Sequence, residues 1–113
     1  MKLDIHIYNE VGVINLSNCF DFSIHREFKQ AYTLLLENQA VKEIKIDLKH
    51  VGFLDSAALG MLMLLRDRAN MVNKTVVLSQ PSPGVASILN VANFDRLFVM
   101  IGIQVEDLRK PSM

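Results

Sequence analysis

Apolar and polar side chains alternate at the start of the chain, where Leu3, Ile5 and Ile7 are interleaved with Lys2, Asp4 and His6. A second run, Val11 to Leu16, follows the turn-prone pair Asn9-Glu10, so the first segment predicts a β-hairpin. The period then changes. From Ser23 to Glu37, Phe28, Ala31, Leu34 and Leu35 recur at helical spacing and predict a helix with those four residues in the core and Ser23 or Asp21 as N-cap. Ile44, Ile46 and Leu48 alternate with Glu43, Lys45, Asp47 and Lys49, the pattern of a strand with one apolar and one solvated face. Val51-Gly52-Phe53-Leu54 leads into a second helix that begins around Asp55 or Ser56 and runs to about Val72.

Thr75 to Leu78 predicts a further strand, entered through Asn73-Lys74. Ser82-Pro83 has the form of an N-cap followed by proline at the first helical position, where no amide hydrogen is needed, and it starts a short helix through Val85, Ile88 and Leu89. Leu97 to Ile103 predicts a last strand, and the tail through Pro111 a short helix or a frayed end. The order is ββαβαβαβ, with a further α if the tail is helical. Strand-helix-strand crossovers imply parallel pairing, and the alternating third strand implies a sheet face that is not fully covered. The fold expected is therefore α/β, with a mixed, mainly parallel sheet and helices mostly on one face, in a single domain over residues 1–113.

Composition narrows the function. Half of the 113 residues are apolar, enough for one core. Twelve basic and twelve acidic side chains cancel, which disfavours direct nucleic-acid binding, because that needs an excess of positive charge. The lone Cys19 cannot form an internal disulfide and reads as a small buried residue, and His6, His25 and His50 are too scattered for a metal site. His6 and His50 read as surface residues at strand edges, and His25 beside Arg26 as part of a solvated helix face. The longest apolar stretch, Ala57 to Leu65, is far shorter than the roughly 20 residues that span a bilayer, so no membrane insertion is expected and a cytoplasmic location is. No Gly-rich phosphate loop, His-Asp-Ser set or metal pattern is present, so neither enzyme activity nor a cofactor is expected.

The candidate chemistry lies at Phe53-Leu54-Asp55-Ser56-Ala57-Ala58-Leu59-Gly60. A serine at a helix start sits at the positive end of the helix dipole beside unpaired amides, so a phosphate there would be tolerated by the fold. At 100° per residue Ala58, Leu62, Leu65 and Ala69 share the face assigned to the sheet, while Ser56, Gly60, Met63, Leu64 and Asp67 fall opposite. Met63 and Leu64 make that outer face more apolar than solvent requires, and Gly60 leaves room for another backbone, which together suggest a docking surface headed by Ser56. A phosphate on Ser56 would be desolvated in such a contact and would lie beside the Asp55 carboxylate, weakening docking. The plainer alternatives are an ordinary N-cap at Asp55-Ser56, a helix buried on both sides, and close helix packing at Gly60.

The block Ile44 to Gly60, with its strand, Asp-Ser, small residues and Leu-Gly, resembles the signature of STAS domains, especially the bacterial anti-sigma-factor antagonists. Similarity extends to Ser82-Pro83 and to Asn93-Phe94-Asp95-Arg96-Leu97-Phe98, and so to most of the chain. Asn18-Cys19-Phe20-Asp21 stands where the family commonly has Gly-Glu-hydrophobic-Asp; Asn18 can adopt the positive φ of the glycine, and Cys19 departs from the acidic residue. The resemblance implies that Ser56 is a phosphorylation site and that Asp21, Asp55, Ser56, Gly60, Met63 and Leu64 contact a partner. It also implies a cycle: a GHKL-type serine kinase that doubles as the anti-sigma factor phosphorylates Ser56, a PP2C-type phosphatase reverses this, and only the unphosphorylated form binds the anti-sigma factor and frees the sigma factor. Ala57 offers no substitute hydroxyl. The alternative implied by the same family is an interaction subunit of a membrane-associated transport complex, such as an ABC-type lipid transporter.

Overall fold

A computed structural model describes residues 3–102, so Ile103 of the expected last strand and the tail through Pro111 lie outside the described residues. The element order is β1 (Leu3–Tyr8), β2 (Val11–Phe20), a 3-10 turn (Phe22–Ile24), α1 (His25–Glu37), β3 (Glu43–Leu54), α2 (Ser56–Met71), β4 (Thr75–Ser79), α3 (Pro83–Val91), a second 3-10 turn (Phe94–Arg96) and β5 (Val99–Ile101). The five strands form one sheet in sequence order, antiparallel between β1 and β2 and parallel thereafter. Asn9 and Glu10 both have positive φ, 47° and 68°, as a two-residue hairpin turn requires.

The core lies between the helices and one sheet face. Ile14 and Leu16 of β2, Ile44, Ile46 and Leu48 of β3, and Leu78 of β4 meet Ala58, Leu62, Leu65 and Ala69 of α2 in a single cluster. All four α2 residues are fully buried, as the helical projection required. On β2 the same face carries Gly12, where an added Cβ would stand 2.6 Å from a terminal methyl carbon of Leu35, so the helix packs closely because no side chain intervenes.

Two expectations change. The buried stripe of α1 is Phe28, Ala31, Tyr32 and Leu35, while Leu34 is 63% exposed. At 100° per residue those four residues centre on one direction and Leu34 points about 110° away, so angle outweighs hydropathy. Tyr32 is buried and its pKa is raised by desolvation, with a smaller opposing effect from Arg68.

The second change concerns β3, which continues through Val51–Leu54 instead of stopping at Lys49. It has 12 residues against 10 in β2, and the register advances by three residues on β3 for two on β2 between Asn15/Asp47 and Ser17/His50, then by two for one between Asn18/Val51 and Cys19/Phe53. These are two bulges, each with an extra residue on β3. The Asp47 carboxylate accepts the Lys49 amide at 2.9 Å across the first, and Asn18 takes φ 66° opposite the second. Alternation gives way there to burial at Leu48, Val51 and Leu54, which is why a period of two no longer marks the strand.

At the opposite end of the sheet, Lys74 is 9% exposed. Its ammonium donates to the carbonyls of Leu35 (3.3 Å), Asn38 (2.6 Å) and Val41 (2.7 Å), joining the C-terminal end of α1 and its following turn to the start of β4. The Leu35 and Asn38 carbonyls also accept the Asn38 and Val41 amides, at 3.3 and 3.0 Å, so the ammonium adds a second donor to each, and a cation suits the negative end of the helix dipole. Burial, reinforced by repulsion from Lys42, lowers the pKa of Lys74 from the ordinary lysine value. Lys74→Met keeps the apolar stem but removes the donor from three carbonyls, and is expected to cost about 1–3 kcal/mol of stability. A lower urea midpoint with unchanged slope is the expected result; an unchanged midpoint would count against a structural role for the ammonium.

Candidate functional site

The C-terminal ends of β2 and β3 finish side by side, with Phe20 paired to Leu54 and the Asp55 amide donating to the Phe20 carbonyl at 3.3 Å. The residues that follow, Asp21 and Asp55, therefore leave the sheet together. Each is extended and each caps the next turn: the Asp55 carboxylate accepts the Ala58 amide at 2.9 Å, and the Asp21 carboxylate accepts the Ser23 amide at 3.0 Å as well as the Ser23 hydroxyl. With Asp55 as the cap, Ser56 is the first helical residue, and it is exposed. Capping and exposure are thus divided between the two residues, so the N-cap function leaves the serine available.

From Ser56 the outward stripe of α2 runs through Gly60, Leu64, Asp67 and Met71, with Leu64 44% and Met71 82% exposed. Met63 departs from the expected outer position, being half-buried against the core, as is Met61. An added Cβ on Gly60 would meet nothing within 4 Å, so close internal packing does not explain this glycine.

Two exposed aromatic residues stand near the same edge and were not singled out by the sequence. Phe53, 50% exposed, is the second-last residue of β3, and Phe22, 62% exposed, opens the first 3-10 turn and stacks on His25 at 4.3 Å between centroids. Phe53 pairs across the strands with Cys19, which is exposed and not the small buried residue expected, because Cys19 lies on the face of β2 opposite that of Ile14, Leu16 and Phe20. An exposed aromatic beside the serine is a signal that the pattern Val51-Gly52-Phe53-Leu54 contained but that its reading as a lead-in concealed.

The chemistry at this edge is the Ser56 hydroxyl, the Ser23 hydroxyl bonded to Asp21, two carboxylates engaged in caps, the Cys19 thiol and exposed apolar side chains. Among the described residues no group of three or more His, Cys, Asp or Glu side chains could hold a metal ion, and no helix is long and apolar enough to cross a membrane. A shallow hollow of about 400 Å³ lies on the sheet face opposite the described helices, and several of its polar groups pair with neighbours. Asn15 donates to Asp4 at 3.0 Å and meets His6 at 3.2 Å, and Lys45 donates to the Tyr8 hydroxyl at 3.0 Å, a bond that raises the lysine pKa.

A family model described as "Mlab, STAS domain" matches residues 4–102. A STAS-domain containing protein of Pseudomonas aeruginosa is 41% identical over 87 residues, covering 75% of this chain and 82% of that protein. Among solved structures, the anti-sigma factor antagonist SpoIIAA in its unphosphorylated form superposes with a TM-score of 0.71 at 17% identity, over 97% of this chain and 96% of that one. A sulfate transporter family protein from Wolinella succinogenes gives 0.74 at 15% identity, over 91% and 85%. At these identities the two structures show a shared fold.

The division between cap and exposed hydroxyl has a direct test. Asp55→Ala is expected to cost about 0.5–2 kcal/mol, the range for loss of an N-cap, and Asp55→Asn to recover most of it because the amide oxygen still accepts from Ala58. Equal denaturation midpoints for Asp55→Ala and the parent chain would contradict the capping role.

Proposed function

The chain belongs to the STAS domain family, and from that premise we propose that it is a phosphorylation-controlled anti-sigma-factor antagonist. In its unphosphorylated form it docks an anti-sigma factor that is also a GHKL-type serine kinase and so frees the sigma factor. The kinase phosphorylates Ser56 and thereby blocks docking, and a PP2C-type phosphatase restores the binding form. The observation that carries this reading is the exposed Ser56, which follows the Asp55 cap at the edge where Asp21 also leaves the sheet and heads the exposed α2 stripe of Gly60 and Leu64. A neutral hydroxyl can be buried in such a contact if it finds one hydrogen bond, whereas a phosphate brings about −1.5 to −2 charge into an apolar setting with carboxylates close by.

A second reading is favoured by the structural likeness to a sulfate transporter family protein. In it the same face docks a component of a membrane-associated transport complex, the chain acts as a fixed interaction subunit, and Ser56 is a contact residue only. Copurification with a permease, together with unmodified Ser56 in cells, would favour this over the switch.

For the switch, Ser56→Ala is expected to abolish phosphorylation and retain partner binding, while Ser56→Asp weakens binding about 100-fold or more, equivalent to about 2.7 kcal/mol of desolvation and repulsion. Titration calorimetry with the kinase-like partner measures both, and equal affinity for parent, Ala and Asp variants would sink the proposal. Phe53→Ser and Leu64→Ser, which remove exposed apolar area, are expected to lower affinity roughly tenfold each with little change in melting temperature.

A further inference from the structure

A second site is built at the far end of α2. Arg66 and Asn70 lie 10 and 14 residues beyond Ser56, about 15 and 21 Å along the helix axis. They form one wall of a groove of about 300 Å³; Arg96 and Leu97, at the end of the second 3-10 turn, form the other, and Lys74 and Thr75 close it. No carboxylate lines this groove among the described residues, although the whole chain has equal numbers of acidic and basic side chains. Arg66 and Arg96 line one concavity, with Lys74 at its edge, in a chain of zero net charge, which concentrates positive potential there.

The cations are also positioned. The Nε of Arg66 donates to the Leu97 carbonyl at 2.8 Å, which fixes the guanidinium across the gap between the walls and leaves its terminal nitrogens as the free part of the fork. Asp67 is 3.7 Å from one of those nitrogens, but its side chain is 64% exposed, so it neutralises little. Arg96 is exposed, its backbone held by the bond from its amide to the Asn93 carbonyl at 3.1 Å. Lys74, with its ammonium committed to three backbone carbonyls, supplies charge but not hydrogen bonds. The Asn70 amide and the Thr75 hydroxyl add neutral donors.

We propose that this groove binds a small molecule bearing a phosphate group, with the phosphate oxygens held by Arg66 and Arg96 and Asn70 and Thr75 completing the set. Guanidinium forks match a tetrahedral oxyanion bidentately, a dianion balances two guanidinium charges, and the volume is at the lower end for small-ligand sites. The site is separate from the Ser56 surface, so it stands whether or not that surface is a switch.

The test uses the full chain and inorganic phosphate, titrated at constant ionic strength with chloride replaced, and followed by amide and arginine Nε resonances. Saturable shifts confined to Arg66, Asn70, Arg96, Leu97 and their neighbours are expected. Arg96→Gln, an exposed position whose loss spares the fold, should raise the dissociation constant about tenfold or more, the worth of a charge-assisted hydrogen bond. Arg66→Lys, which keeps the charge but loses both the fork and the Nε bond to the Leu97 carbonyl, should weaken binding while amide resonances away from the groove keep their parent positions. Shifts that do not saturate, that spread over all lysines and arginines, or that persist unchanged in Arg96→Gln would overturn the proposal. So would Arg96-dependent sedimentation with phosphatidylglycerol vesicles in a chain that shows no saturable response to inorganic phosphate, since the oxyanion recognised would then belong to a lipid surface.

Discussion

The parallel pairing of β2 with β3, and the two bulges within it, is the constraint on which the site depends. The strands start together at Val11 and Glu43 and end together at Phe20 and Leu54, although β3 has two more residues. The bulges absorb that difference and let Asp21 and Asp55 emerge from neighbouring positions. Had β3 run without bulges, its last two residues would project past the end of β2, and the two caps would separate by about 7 Å along the strand direction. Parallel crossovers then place each helix start at the carboxyl ends of the strands, where α/β sheets commonly bind ligands and partners. Ser82, whose hydroxyl accepts the Val85 amide at 3.3 Å, caps α3 at the end of β4 in the same way.

The elements were legible wherever one face of a regular element is buried. Ile44, Ile46 and Leu48, and Ala58, Leu62, Leu65 and Ala69, repeat at the period of their own structure and are all in the core. Ser82-Pro83 marked a helix start by local chemistry alone, and so did Asp55, whose carboxylate makes the capping bond. Pattern fails where geometry breaks the period, as in β3, where the bulges replace alternation with burial at Leu48, Val51 and Leu54 and leave Phe53 half-exposed. For Cys19 the habit of the residue type misleads and alternation does not, since it lies on the β2 face opposite that of Ile14, Leu16 and Phe20. At Leu34 hydropathy misleads: the amphipathic Tyr32 lies at the better angle and is the one buried.

The candidate site was legible as a position and less so as a surface. Ser56 and the carboxylates follow from local sequence, because a cap and a first-turn residue are decided within four positions. The surround comes from more than one element, and no local pattern reports that Phe53 of β3 is exposed as well as Gly60 and Leu64 of α2. Met63 illustrates the limit: its helical angle is near the outward direction, yet it is half-buried, because a long flexible side chain can fold against a neighbouring element that a projection of one helix omits.

The two ends of α2 treat a phosphate in opposite ways, for reasons that separate stability from binding. At Ser56 the helix dipole contributes about 0.3–1 kcal/mol in favour of an anion, and the Asp55 carboxylate already occupies the Ala58 amide. A phosphate there stays in water in the free domain, so the fold is nearly indifferent to it, and its cost arises only when a partner excludes that water. At the groove the charge is reversed, since Arg66 of α2 and Arg96 of the second 3-10 turn both line it and no carboxylate does among the described residues. An anion there is attracted in the free domain, with no partner needed. On the two proposals the same helix would carry a surface where phosphate acts through association and a groove wall where it acts through occupancy, about three to four turns apart.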